Sequence, residues 1–176
     1  SSGPYGPAQT SSQLACRQNF SILTTDGYWN NTTDSFPSGA VSRGNEDNEA
    51  GVSVLNPLTG SNQNTYAASA PYRDSHTSTL ADVAMYYWKN NLRPDMANIV
   101  PTSAANPAFW QHMVTFGISI GLKGQTGFES VDQVPANYTG WPDPIANAGP
   151  ERIDDLLHAA VNSRGTFLSA SNPDEF

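Results

Sequence analysis

The 176-residue sequence predicts an α/β domain: a parallel sheet with flanking helices, broken by long irregular insertions. Three observations carry this. Segments of strand and helix period alternate as strand, helix, strand, helix, strand, the mark of βαβ units with right-handed crossovers. The clearest strand, His112 to Leu122, puts Val114, Phe116, Ile118, Ile120 and Leu122 on one face. Its other face carries Thr115, Gly117, Ser119 and Gly121, small enough for a helix to pack closely. Between the periodic segments lie Asn-, Ser-, Thr-, Gly- and Pro-rich stretches far longer than ordinary connections.

Taken in order, residues 1–15 read as a linker or an engineered edge. Asn19 to Thr25 is a short β-branched and aromatic run closed by Asp26-Gly27, so it predicts a strand. Residues 28–76 form the first insertion, with no lasting period and an acidic knot at Asn45 to Glu49 that reads as a solvated loop. The knot lacks the alternating Asp spacing and terminal Glu of a calcium loop.

A helix follows. Thr79 and Asp82 have capping-box spacing, and Leu80, Val83, Ala84, Tyr87 and Trp88 recur on one stripe until Asn90-Asn91 and Pro94 end it. Beyond the central strand, residues 123–149 form the second insertion. Gly149-Pro150-Glu151 then opens a helix with stripe Ile153, Leu156, Leu157, Ala160 and Val161. Arg164-Gly165 closes it, Thr166 to Ala170 predicts a last strand, and Asn172 to Glu175 reads as the start of one more helix. The expectation is part of a larger protein.

Composition narrows the function. Charged residues reach 14%, below the usual quarter, and 8 basic against 16 acidic residues give a net charge of −8. A chain this acidic offers no basic face to nucleic acid or anionic membrane. No apolar run approaches the about 20 residues of a membrane helix, and no basic-then-apolar leader is present. Cys16 is single, which leaves a small buried residue as the plainer reading and a bridge to another chain as the sharper one.

Four blocks resemble the PilY family of type IV pilus tip proteins. They are Cys16 to Asn30, Thr79 to Trp88 with Leu92-Arg93-Pro94, Phe109 to Gly117, and Ile153 to Gly165. The resemblance implies an exported module at the pilus tip beside minor pilins, serving pilus assembly, adhesion to host-cell or abiotic surfaces, and surface-dependent motility. It also implies that residues 16–176 are the later half of a von Willebrand A-like domain, with the remainder of that domain as a partner. In such domains a matching Thr-Asp-Gly supplies one oxygen to a cation site, which makes Asp26 the candidate metal ligand, for Mg²⁺ or Ca²⁺ in the full-length protein. Hard cations need several oxygens at once, and the loop that supplies the others is absent here.

Catalysis finds little. Gly117-Ile118-Ser119-Ile120-Gly121 matches a nucleophile elbow by letters, but Ser119 lies inside a strand rather than at a strand-to-helix turn. His76, His112 and His158 show no metal-ligand spacing, and His158 reads as a packed, hydrogen-bonded histidine. The expected function is a non-enzymatic binding and assembly module. The alternatives are a secreted carbohydrate-active enzyme, with Asp and Trp residues lining a groove and two acids about 5 to 10 Å apart, or a purely structural scaffold.

Overall fold

The computed structural model describes residues 9–29 and 43–170. The predicted alternation is present. β1 (Asn19–Thr25), β4 (Met113–Ile120) and β5 (Phe167–Ala170) form one parallel sheet in the order β1-β4-β5. The register pairs Ile22 with Phe116 and Ile118 with Leu168.

The small face of β4 does what its side chains allow. Helix α3 (Glu151–Asn162) lies so close that a Cβ on Gly117 would stand 2.9 Å from the Phe167 ring and 3.0 Å from Leu156 Cγ. Ser163 follows the helix and accepts the Thr115 N–H through Oγ at 2.8 Å. Gly165 has a different reason for being glycine than helix closure suggests. The left-handed residue of the cap is Arg164, at φ 62°, while a Cβ on Gly165 would sit 1.9 Å from the Thr115 carbonyl oxygen. Its close approach to β4 is the constraint.

Helix α2 (Leu80–Lys89) has the predicted capping box: Thr79 Oγ1 accepts from Asp82 N, and the Asp82 carboxylate accepts from Thr79 N. Its buried face differs from the predicted stripe. Ala81, Ala84, Met85 and Trp88 are covered, whereas Tyr87 is exposed and Leu80 and Val83 are only half-buried. The face is turned because Asp82 and Lys89 are buried too, each held by hydrogen bonds from or to the first insertion.

Two corrections fall in that insertion. Ser53–Asn56 (β2) and Ser61–Asn64 (β3) form an antiparallel hairpin in a stretch that reads as irregular. The acidic knot is a 3₁₀ turn at Glu46–Asn48 with Asp47 fully buried, not a solvated loop. Short helix α1 (Ser11–Ala15) lies within the first fifteen residues, capped by Thr10 and tied to the body by Gln111 Nε2 donating to the Ala15 carbonyl. Cys16 is exposed, against the reading of a buried small residue. The helix start read at Asn172 to Glu175, and Asn30 at the end of the first block, fall outside the described residues.

Two apolar clusters make the core. One joins α3 to the sheet through Ile153, Leu156, Leu157, Ala160, Val161 and Phe167, with Trp141. The other packs Met85 and Trp88 of α2 on Val54, Tyr66, Ala108 and Trp110. Trp110 donates its indole N–H to the Trp88 carbonyl, and buried His112 donates to the Trp110 carbonyl and accepts from Asn106, so it is fully bonded.

Among the described residues the other sheet face is open beyond the buried Val114. Phe20 (55% exposed) and Ile22 (67%) lie on the same face as half-buried Phe116 and Ile118 and exposed Ile120 and Leu168. Among the described residues β1 pairs only with β4.

Candidate functional site: a buried carboxylate and histidine centre

Helix α3 is amphipathic in sequence yet buried all round, from Arg152 to Asn162. Its apolar face lies on the sheet. Its polar face is covered by the two insertions and the start of α2, and each polar side chain there meets backbone or side-chain groups.

The contacts run along the helix. The Asp154 carboxylate accepts from Gln125 N (2.7 Å), Thr126 N (3.3 Å) and Thr126 Oγ1 (2.6 Å), fixing the second insertion. Asp155 accepts from Leu80 N and Ala81 N, both at 2.9 Å, and so caps α2 from a neighbouring helix. Asn162 Nδ2 donates to Asp47 Oδ2 (3.0 Å) and to the Ala81 carbonyl (3.2 Å), and its own Oδ1 is buried without a partner.

His158 is the centre of this face. Its ring stacks on Trp141 at 4.0 Å between centroids and 9° between planes. Trp141 is in turn anchored by its indole N–H to the Pro71 carbonyl at 2.7 Å. Nε2 lies 2.6 Å from the Tyr72 carbonyl oxygen. A carbonyl can only accept, so Nε2 carries the hydrogen and Nδ1 carries a lone pair. Facing Nδ1 at 3.5 Å is Asp74 Oδ2, and Asp47 Oδ2 is 3.6 Å from Nε2. The remaining oxygens are taken: Asp74 N donates to Asp47 Oδ1 (3.0 Å), and His76 N donates to Asp74 Oδ1 (2.8 Å).

The electrostatics follow from burial. Desolvation pushes the Asp47 carboxyl up to about 7, and the nearby Asp74 and Asp82 charges add to it. Burial likewise lifts Asp74 to about 6 and Asp155 to about 7, and raises Asp82. It drives His158 down to about 3, so the imidazole is neutral and its two carboxylate contacts are not ion pairs. The nearby cations are engaged elsewhere. Lys89 Nζ holds Glu46 Oε2 at 2.9 Å and two carbonyls of the knot, and Arg164 is sandwiched between Tyr72 and Trp88. Asp47, Asp74 and His158 each offer a ligating atom, all within 4.8 Å of one another.

His158 is the packed, hydrogen-bonded histidine its place beside the apolar stripe predicts. The fold also brings it next to positions 47 and 74, a neighbourhood that spacing along the chain does not show. One signal was available: Asp155, His158 and Asn162 share a face of the helix at i, i+3 and i+7.

The named candidate, Asp26, stands apart. It is exposed just beyond the carboxyl end of β1 and joins no group of three ligating side chains among the described residues. Ser119 is fully buried inside β4 and donates to the Leu122 carbonyl, as its strand position requires.

Three relatives resemble this chain almost end to end. The type IV pilus biogenesis factor PilY1 of Pseudomonas aeruginosa strain PAK is 36% identical over 98% of the chain. The same factor from strain PAO1 is 36% identical over 98%, and that of strain UCBPP-PA14 is 34% identical over 91%. The sequence is PilY1-like. The chain spans 16% of the length of the first two relatives and 15% of the third. No family model matches the PilY1-like segment, and no solved structure is similar to it. No helix among its described residues is long and apolar enough to cross a membrane.

Proposed function

We propose that residues 16–176 are the later half of a von Willebrand A-like domain in a type IV pilus biogenesis factor. It is a non-enzymatic module acting outside the cell, at the pilus tip. In this reading it supports assembly beside minor pilins, and the completed domain contacts surfaces in adhesion and motility. Asp26, at the carboxyl end of β1, contributes one oxygen to a Mg²⁺ or Ca²⁺ site that chain outside this segment completes.

The observation that carries the reading is the open sheet. Parallel sheets are covered on both faces, yet Phe20, Ile22, Ile120 and Leu168 present apolar surface opposite α3. β1 also offers an unpaired edge among the described residues, a template for another strand. A segment similar to about a sixth of a longer protein has both features if the rest of its domain lies elsewhere in that protein.

A carbohydrate-active enzyme is less well supported. The clustered carboxylates are buried rather than facing across a cleft, and Trp88, Trp110 and Trp141 are core residues. A groove of about 410 Å³ between the hairpin tip and residues 98–109 has no carboxylate in its lining.

The test is amide exchange along Asn19–Thr25, compared between this chain and the whole biogenesis factor that contains it. The reading expects β1 amides to exchange fast in the chain and at least about tenfold slower in the longer protein. Equal protection in both sinks the half-domain reading. Deleting the segment from that factor is expected to abolish surface pili, and normal piliation would remove the assembly role.

A further inference from the structure

Nδ1 of His158 and Oδ2 of Asp74 point at each other, 3.5 Å apart, and when Asp74 is ionised no hydrogen lies between them. The Tyr72 carbonyl has fixed the imidazole hydrogen on Nε2, so Nδ1 is an acceptor. Asp74 Oδ2 is a second acceptor, and its sister oxygen already takes the His76 N–H. His158 is 2% exposed and the Asp74 side chain 4% exposed, so bulk water does not separate them. Two buried lone pairs confronting one another are unfavourable unless something positive lies between.

The spacing suits a metal ion. Nitrogen and oxygen ligands at about 2.0 to 2.1 Å from a tetrahedral cation stand about 3.4 Å apart. Asp47 joins the group: it, Asp74 and His158 each offer a ligand atom within 4.8 Å of the others. A buried imidazole with carboxylates is the donor set of zinc-class ions, whereas Ca²⁺ and Mg²⁺ take oxygen shells. The supporting contacts are those of a held ligand set: Nε2–H on a backbone carbonyl, the ring stacked on Trp141, and Asn162 donating to Asp47. Charge agrees as well. Asp47, Asp74, Asp82 and Asp155 are gathered around one neutral histidine, while Lys89 and Arg164 are engaged elsewhere.

We propose that Asp47, Asp74 and His158 bind a single zinc-class divalent cation that ties the first insertion to helix α3. Positions 47 and 74 belong to that insertion and 158 to the helix, so the ion would cross-link chain segments that meet only in the folded state. This site is separate from the one Asp26 is proposed to join, and it stands or falls independently of the pilus reading.

The experiment uses the whole chain, stripped with chelator, refolded with and without ZnSO₄ and dialysed, because a buried site fills as the chain folds. Metal content is measured directly, and CoCl₂ replaces zinc as a visible-absorption probe. The expected result is about one equivalent of zinc retained, Co²⁺ bands of a four- or five-coordinate nitrogen and oxygen site, and a rise in thermal midpoint with metal. Mg²⁺ and Ca²⁺ should give neither retention nor stabilisation.

Asp74→Asn separates a metal from a shared proton. Its amide can donate to His158 Nδ1 while Oδ1 still accepts from His76, so the metal-free variant should fold with undiminished stability. It should also bind zinc more weakly by more than the about 10- to 100-fold that losing a mere supporting partner costs. His158→Gln is expected to lose zinc and the cobalt bands together. A folded wild-type chain that retains no zinc or cobalt overturns the proposal, as does a folded Asp74→Asn chain that retains a full equivalent.

Discussion

Asp155 gives the most direct test of how the two helices are joined. Four N–H groups at the start of α2 need partners. The N–H of Thr79 goes to Asp82 Oδ2 and that of Asp82 to Thr79 Oγ1, which leaves Leu80 and Ala81 to Asp155. Asp155→Ala leaves both donors without an acceptor. A buried donor so orphaned costs about 1 to 3 kcal/mol. Ala81 is fully buried and should sit at the top of that range, whereas half-buried Leu80 can recruit water and should sit near the bottom. Some of the loss is offset, because the variant also removes a carboxyl from beside Asp74 and Asp82. The net expectation is a loss of about 2 to 4 kcal/mol. Asp155→Asn keeps one acceptor oxygen and should lose about half as much. Urea unfolding followed by fluorescence of the buried tryptophans measures both. An Asp155→Ala chain within about 0.5 kcal/mol of the wild type, or an Asn variant as damaged as the Ala variant, would show that this cap does not hold α2.

Two further outcomes are expected. Gly165→Ala drives a Cβ to 1.9 Å from the Thr115 carbonyl oxygen, a backbone atom that cannot swing away, so α3 or β4 must shift. A loss of about 3 kcal/mol or more in urea unfolding is expected, and a change under about 1 kcal/mol would contradict the close approach. The metal-free chain should lose stability as pH rises from about 4 to about 7. Asp47, Asp74 and Asp155 keep protons in the native state, to about 7, 6 and 7, that the unfolded chain releases near the usual carboxylate value. His158 acts oppositely: its folded value near 3 makes it lose stability as pH falls from about 6.5 toward 3. Three carboxyls outweigh one imidazole, so the urea midpoint should fall from pH 5 to pH 7.5, and a midpoint that rises over that range contradicts the burial of these acids.

The regular elements were legible because each carries its own period. Strand β4 shows alternation over eight residues, α3 shows an apolar stripe, and α2 announces its start through Thr79 and Asp82. The parallel order follows from their alternation. The hairpin was not legible, because β2 and β3 read Ser-Val-Leu-Asn and Ser-Asn-Gln-Asn, with one buried side chain between them. The polar centre was hidden for another reason. Its members are separated by tens of residues, and a buried Asp looks like an exposed one until the groups above it are placed. Asp47 sits in a run of Asn and Glu that composition alone assigns to solvent, yet Tyr66, Asn162 and the N–H of Asp74 all reach it. The orientation of α2 failed similarly, since Lys89 counts as polar by type but is covered once its ammonium finds the knot's carbonyls.

The position of α3 late in the chain has a consequence for how this protein comes into being. Asn162 meets Asp47 across 115 residues, and Asp155 meets Leu80 across 75. While a ribosome is still making residue 150, Asp47, Asp74 and Asp82 exist without the helix that covers them, and the β4 glycine face has nothing to pack on. Long-range closure of this kind is slow, and the waiting chain exposes apolar strand surface meanwhile. Emergence of α3 is therefore the event that commits the earlier residues to their fold, and a nascent chain halted before Glu151 should be a ready substrate for chaperones and proteases.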